Sequence, residues 1–344
     1  MLLYVVYCPK SFFPAEDLPM AQKGNLMIYR PDIKVLDATI RDGGLVNNFF
    51  FTDDFVKALY QANIKAGVDY MEFGYKASKD LFDEKAYGKW KFCEEEDIRA
   101  IVGENNTDLK ISVMADVGRT DYKRDIIDKK DSVIDMIRVA TYINTIPAAI
   151  DMIEYCHNKG YETCVNIMAV STADSKDVEQ ALEMLGKSSV DVIYLVDSYG
   201  SLYPEQVREL TETYCAVAEK YGKKVGMHAH NNQQMAFANT VESVAFGASY
   251  LDATMMGMGR GAGNCILEGI LGFLRNPRYN VVYVLKFIQE YMLPLKEQGL
   301  VWGYEIPYLL TGMLNRHPGP AIDKIKTKDT NYVGFYHVLW DREN

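Results

Sequence analysis

Of the five histidines in this 344-residue chain, two stand in the stretch Val225-Gly226-Met227-His228-Ala229-His230-Asn231-Asn232. They are separated by one residue and close a short apolar run that reads as a strand. Alternation along a strand points residues i and i+2 to the same side, so both imidazoles face one way at its C-terminal end. Helical patterns on both flanks bury this strand in a parallel sheet. Two buried imidazoles need partners, and a metal suits both. The alternative is two polar strand residues with no shared ligand.

Two further stretches could do chemistry. Arg41-Asp42-Gly43-Gly44 puts an acid beside a guanidinium at the end of the first apolar run. Taken alone it reads as a surface turn. Gly257-Met258-Gly259-Arg260-Gly261-Ala262-Gly263-Asn264 is a glycine-rich loop leading into a helix. Gly259 and Gly261 let the backbone approach an anionic ligand and aim N–H groups at it. Asn264 heads the following helix, as its N-cap, as a fourth metal ligand, or both.

The elements that must position these residues repeat as a short apolar run followed by an amphipathic stretch. Strands are predicted at residues 34–40, 69–75, 110–115, 132–139, 161–168, 191–197, 225–230 and 250–255. Helical patterns fall between them, among them 147–159, 175–187, 204–221 and 233–246, and Thr52 serves as an N-cap before Asp53 and Asp54. Eight such units in roughly 245 residues is the arithmetic of a (β/α)8 TIM barrel. A doubly wound open sheet would want GxGxxG after an early strand, and the chain has none there. In a closed barrel strand eight meets strand one, so Asp42 converges with His228 and His230 on the C-terminal rim, where such barrels keep their chemistry. One carboxylate and two imidazoles leave coordination positions open, as catalytic sites do. The hard oxygen ligand favours Mn²⁺ or Mg²⁺, with Zn²⁺ as the third choice.

Bulk properties narrow the setting. A net charge of −10 argues against nucleic-acid binding. No apolar run approaches the ~20 residues of a membrane helix. Six scattered cysteines without a CxxC pair fit a reducing cytoplasm. The expected organisation is an N-terminal extension over 1–33, a barrel over 34–280 and a C-terminal helical segment over 281–344.

Together the RDG after strand one, the HAHNN at strand seven and the GMGRGAGN after strand eight resemble the DRE-TIM metallolyase superfamily, also called HMGL-like. That group includes 4-hydroxy-2-oxovalerate aldolases, 3-hydroxy-3-methylglutaryl-CoA lyase and 2-isopropylmalate synthase. The resemblance runs from about Ile33 to Phe273 and is closest to the aldolase branch. It implies a divalent metal on Asp42, His228 and His230, with Asn264 as the fourth ligand, and Arg41 steadying an enolate. Arg138 and the stretch Asp197-Ser198-Tyr199-Gly200 also look like the aldolase branch. Glu72 and Asn166, at strand positions near the rim, join Arg41, Arg138, Gly259 and Gly261 as candidate substrate contacts. Lys76 reads as a solvated lysine, with a contact to a substrate carboxylate or phosphate as the alternative. Tyr308 resembles an aldolase tyrosine that works near the substrate hydroxyl; the alternative is a core aromatic.

The departures matter. Leu45 stands where the aldolase branch carries a histidine base. Cys265 falls just after Asn264 rather than inside the loop, which counts against a CoA-thioester lyase. The implied activity is cleavage of a 4-hydroxy-2-oxo acid to pyruvate and an aldehyde through a metal-stabilised enolate. The alternatives are a Claisen-type synthase adding an acyl-CoA, and a barrel that has lost its chemistry and serves as a binding subunit. The C-terminal segment would meet an aldehyde dehydrogenase, as in the aldolase branch, or seal a homodimer.

Overall fold

The computed structural model describes residues 30–341, so nearly all of the expected N-terminal extension lies outside the described residues. The chain opens with strand β1 (Lys34–Asp37), then helices α1 (Thr39–Asn47) and α2 (Asp53–Ala66). Next come β2 (Tyr70–Tyr75), α3 (Glu95–Val102), β3 (Lys110–Asp116) and a short α4 (Tyr122–Asp125). The series continues with β4 (Met136–Thr141), α5 (Ile146–Asn158), β5 (Glu162–Ile167) and α6 (Ser175–Gly186). It closes with β6 (Val192–Asp197), α7 (Pro204–Tyr221), β7 (Lys224–Ala229), α8 (Ala236–Ala245), β8 (Tyr250–Ala253) and α9 (Leu267–Leu274). The eight strands run parallel in sequence order, and β8 pairs with β1 to close a (β/α)8 barrel.

Residues on alternate strand positions fill the interior. Leu36, Tyr70, Met136, Cys164, Val192, Tyr194 and Val196 form its apolar part. The opposite faces pack on the surrounding helices in the larger core. At the floor, Tyr70 Oη donates to Glu162 Oε1 at 2.8 Å and Lys110 Nζ meets Glu162 Oε2 at 2.8 Å.

Several boundaries depart from the sequence reading. The first strand ends at Asp37 instead of Ile40, because Asp37 Oδ1 accepts the Thr39 N–H at 2.9 Å and turns the chain into α1. Arg41-Asp42-Gly43-Gly44 therefore lies inside a helix and is not a turn. Glycine in a helix costs about 1 kcal/mol against alanine, and packing explains both. A Cβ on Gly44 would sit 2.1 Å from the Phe49 ring, and one on Gly43 would sit 2.9 Å from Met258 Sδ. The fourth strand starts at Met136, not Ser132. Residues 132 and 133 instead dock on Glu95, which accepts from Ser132 Oγ at 2.8 Å and from Val133 N at 2.6 Å. Finally, α9 begins at Leu267 after Ile266, so Asn264 is not its N-cap.

The C-terminal segment holds α10 (Val281–Phe287), α11 (Leu293–Glu297), α12 (Ile306–Met313), α13 (Gly319–Lys326) and α14 (Tyr332–Trp340). It starts on the barrel's flank, where Phe287 packs edge-on against Phe55 of α2 at 5.1 Å. It then reaches the rim. Trp302 Nε1 donates to Met256 O at 3.0 Å, and Asn315 Nδ2 donates to Ser171 O at 2.8 Å. Gly312 leaves just room for Asn232 and Gly200, where a Cβ would stand 3.0 and 3.2 Å away. Among the described residues, no helix is long and apolar enough to cross a membrane.

Candidate metal centre and active site

Helix α1, strand β7 and the loop after β8 bring Asp42, His228, His230 and Asn264 to one place on the C-terminal rim. Asp42 Oδ2 lies 3.6 Å from His228 Nε2 and 3.8 Å from His230 Nε2. The three ligand atoms fall within 4.8 Å of one another. These gaps are too long for hydrogen bonds. They suit ligand atoms that share one cation through bonds of about 2.0–2.2 Å. Two buried polar atoms here have no partner among the described residues, His228 Nε2 and Asn264 Oδ1. Each is in the orientation a ligand needs. His228 Nδ1 is 3.0 Å from Asp252 Oδ2, which leaves Nε2 unprotonated for a metal when the proton sits on Nδ1. Asn264 Nδ2 donates to Met258 O at 3.1 Å, which turns Oδ1 the other way. A divalent cation therefore fits the residues present.

Charge supports the same fit. Three buried carboxylates (Asp42, Glu72, Asp252) sit with two buried guanidinium groups (Arg41, Arg138), and against its burial Asp252 and Asp42 raise the His228 imidazole, so the site draws in positive charge. Burial would raise the Asp42 carboxyl, but its neighbours, with the Arg41 guanidinium as the standing charge beside it, hold it well below the usual carboxylate range. Burial drives the His230 imidazole down to about 3, so it is neutral and free to coordinate.

Behind the metal residues runs a fully buried ionic strut. Glu72 Oε2 accepts from Arg41 Nε at 2.7 Å and from Arg138 Nη1 at 2.8 Å. Arg138 Nη2 pairs with Asp252 Oδ2, and its guanidinium lies 4.5 Å from the Tyr194 ring centroid. Arg138 and Glu72 are both 0% exposed. With no exposed surface and Arg138 bonded through Nε, Nη1 and Nη2 inside the barrel, the two residues brace Arg41 and Asp252 from behind. Arg41 itself, held through Nε and Nη1, keeps Nη2 buried without a partner among the described residues.

The glycine loop braces the candidate ligands from the other side. Its amides are largely spent within the protein: Arg260 N donates to Asp42 Oδ1 at 3.0 Å and Ala262 N to Asn232 Oδ1 at 3.1 Å. A Cβ on Gly259 would lie 2.0 Å from Asn264 Nδ2 and 2.5 Å from Asp42 Oδ1. Gly261 has φ +68 and faces Asn232 Oδ1. These two glycines make room for the candidate ligand side chains and their supports. Asn166 is nearly buried in β5, with its Oδ1 3.5 Å from Cys164 Sγ. Tyr308 lies on α12, one turn before Gly312, and burial raises its phenol above the ordinary value. Leu45 is 37% exposed. Lys76 is 5% exposed, so the solvated lysine expected there is corrected.

Sequence reasoning overlooked Asp252, a lone acid two residues after Tyr250 in an otherwise apolar run, and that parity was the available signal. It also overlooked Arg260 and His317, whose Nη1 and Nε2 stand 3.4 Å apart. No local pattern links a loop arginine to a histidine 57 residues on.

The HMGL-like family model matches residues 32–290. An oxaloacetate decarboxylase of Mycobacterium tuberculosis is 30% identical over 242 residues, 70% of this chain and 69% of that protein. A 4-hydroxy-2-oxovalerate aldolase of Pelotomaculum thermopropionicum is 28% identical, covering 74% of each. Among solved structures, the N-terminal domain of a Bacteroides vulgatus protein assigned as an aldolase superposes with a TM-score of 0.74 at 27% identity. That match covers 88% of this chain and 99% of that one. HMG-CoA lyase from Brucella melitensis, at 16% identity and a TM-score of 0.63 over 77% of this chain and 99% of that one, shares the fold. With a barrel of the same kind and a family match across three quarters of its length, the chain belongs to the HMGL-like family and is a carbon–carbon lyase.

Proposed function

We propose that the chain is a divalent-metal-dependent aldolase that cleaves a 4-hydroxy-2-oxo acid to pyruvate and an aldehyde. The observation that carries this reading is that Arg41 Nη2, His228 Nε2 and Asn264 Oδ1 lie buried at one rim without partners among the described residues. Unmatched buried polar atoms cost stability, and they persist where a ligand matches them. When bound to Asp42, His228, His230 and Asn264, the cation supplies a Lewis acid for the 2-oxo acid. Arg41 Nη2 donates to the oxygen on which charge gathers as the carbon–carbon bond breaks and an enolate forms. Glu72 and Asp42 hold that guanidinium in place, so its donor needs no reorganisation. Asp252 keeps the His228 ring oriented. Tyr308, protonated at neutral pH, lies on the helix over the rim and handles the proton at the substrate hydroxyl, directly or through water.

Position 45 favours a second reading, decarboxylation of a 2-oxo acid with a second carboxylate. That bond cleavage leaves the same enolate and needs no base to take a hydroxyl proton, consistent with a leucine there. Pyruvate release from 4-hydroxy-2-oxo acids and from oxaloacetate, with added Mn²⁺ and with Asp42→Asn and His228→Ala as controls, tests both. Turnover by the controls equal to that of the parent chain would remove the metal reading.

A further inference from the structure

Arg260 is a charged side chain at the rim that the reaction above does not use. Its backbone N–H braces the metal-binding carboxylate Asp42, yet its side chain meets only neutral acceptors. Nη1 is 3.4 Å from His317 Nε2 and Nη2 is 3.4 Å from Ser198 O. Its Nε is buried with no partner, and no carboxylate lies within 4 Å of the guanidinium among the described residues. The contrast with the neighbouring guanidinium groups is plain, since Arg41 and Arg138 each touch two carboxylates. A guanidinium is built for bidentate bonds to a planar or tetrahedral anion. Burying part of one without an anion is costly unless a ligand supplies it.

We infer that Arg260 receives a second anionic group of the substrate, a carboxylate or a phosphate, at the end remote from the 2-oxo carboxylate. The substrate class is thus a dianionic 2-oxo acid. Because His317 and Ser198 flank the guanidinium, the bound anion sits between the glycine loop, the segment after β6 and the C-terminal segment. This inference rests on the 2-oxo acid site proposed above, though not on its bond-breaking step.

The test is calorimetric binding to the full chain loaded with Mn²⁺, using unreactive ligands of matched length. 2-Oxoglutarate carries the second carboxylate, 2-oxopentanoate lacks it, and 4-phosphono-2-oxobutyrate replaces it with a phosphonate. One charge-assisted pair predicts that the parent chain binds the tighter dianion about 10- to 100-fold better than 2-oxopentanoate. Whichever dianion binds tighter names the natural group. In Arg260→Gln that ratio falls to within about threefold, and Arg260→Lys keeps part of it. The inference is overturned by equal affinities in the parent chain, by a ratio unchanged in Arg260→Gln, by parallel loss of all ligands, or by no binding of any. Parallel loss would mark Arg260 as a brace of the metal loop, and bound Mn²⁺ would fall with it. A chain that shows the ratio but releases no pyruvate sinks the aldolase reading and leaves this one standing.

Discussion

The floor of this barrel draws its polar side chains from the strands β2, β3 and β5, whereas the rim draws them from α1, β7 and the loop after β8, and the two ends settle their polar groups in opposite ways. At the floor, Tyr70, Lys110 and Glu162 close on one another, with Glu162 meeting both partners at 2.8 Å. At the rim, Arg41 Nη2, His228 Nε2, Asn264 Oδ1 and Arg260 Nε are buried and unmatched among the described residues. A closed network contributes stability and asks for nothing further. An open one gives up stability and awaits a ligand. The fold divides these tasks along its axis, as barrels of this type do.

The largest effect that could break this contrast comes from the metal ligands. Asp42→Asn should lower kcat/KM by ~10³-fold or more, since a metal-bound oxygen ligand and the partner of Arg41 are both lost. Thermal stability without metal should fall only modestly, because the amide keeps an oxygen for the Arg260 N–H and Glu72 still pairs with Arg41. Loss of activity matched by a large loss of metal-free stability would contradict the division. Arg41→Lys should come next, with kcat down about 10²-fold and KM changed far less, because a lysine cannot keep the Glu72 and Asp42 bonds and also present a third donor. Steady-state kinetics that showed the whole loss in KM would assign Arg41 to ground-state binding.

The floor should answer in the opposite currency. Glu162→Ala leaves the Tyr70 hydroxyl and the Lys110 ammonium without their acceptor, which should cost about 1–3 kcal/mol in urea unfolding and leave kcat within about twofold. A drop in kcat as large as that of Arg41→Lys would mean the two ends are coupled.

The smallest effect concerns Asp37, outside the barrel against α2. Its carboxyl is buried and raised to about 6, with bonds from Thr39 and Asn63 only partly offsetting the burial. The unfolded chain loses this proton near pH 3.8, so between about pH 4 and 6 the folded state binds more protons than the unfolded one. This group's contribution to stability therefore falls as pH rises through that window and is level above it. Asp37→Asn should gain on the parent by about 1–3 kcal/mol across the window, read as unfolding free energies at pH 4, 5, 6 and 7. A difference independent of pH would show that Asp37 is not protonated in the folded chain.

Much of this was legible from residue order alone. The eight apolar runs located eight strands because burial on both faces leaves a continuous hydrophobic signal. Helix α7 was read to its end residues, since Pro204 and Gly222 punctuate it in the usual way. The pair His228 and His230 was legible because strand parity is local. Helix α1 was not. Two adjacent glycines argue against a helix, and only Phe49 and Met258, brought in by the fold, supply the reason for them. Glu72 and Arg138 illustrate the same limit, because being near the rim in sequence does not say whether a side chain faces substrate or another buried charge.

What the sequence determined by itself was periodicity and residue type: an alternating β/α chain, two imidazoles on one face, an acid beside an arginine, and a glycine-rich loop before an asparagine. What only the tertiary structure decided was pairing. Asp252 behind His228, Glu72 shared by two guanidinium groups, Gly259 yielding space to Asn264 and Arg260 left without a carboxylate all depend on atoms far apart along the chain. The physical reason is range: backbone preference and hydrophobic pattern act over a few residues, whereas a buried charge is settled by whatever the closed barrel places within about 4 Å of it.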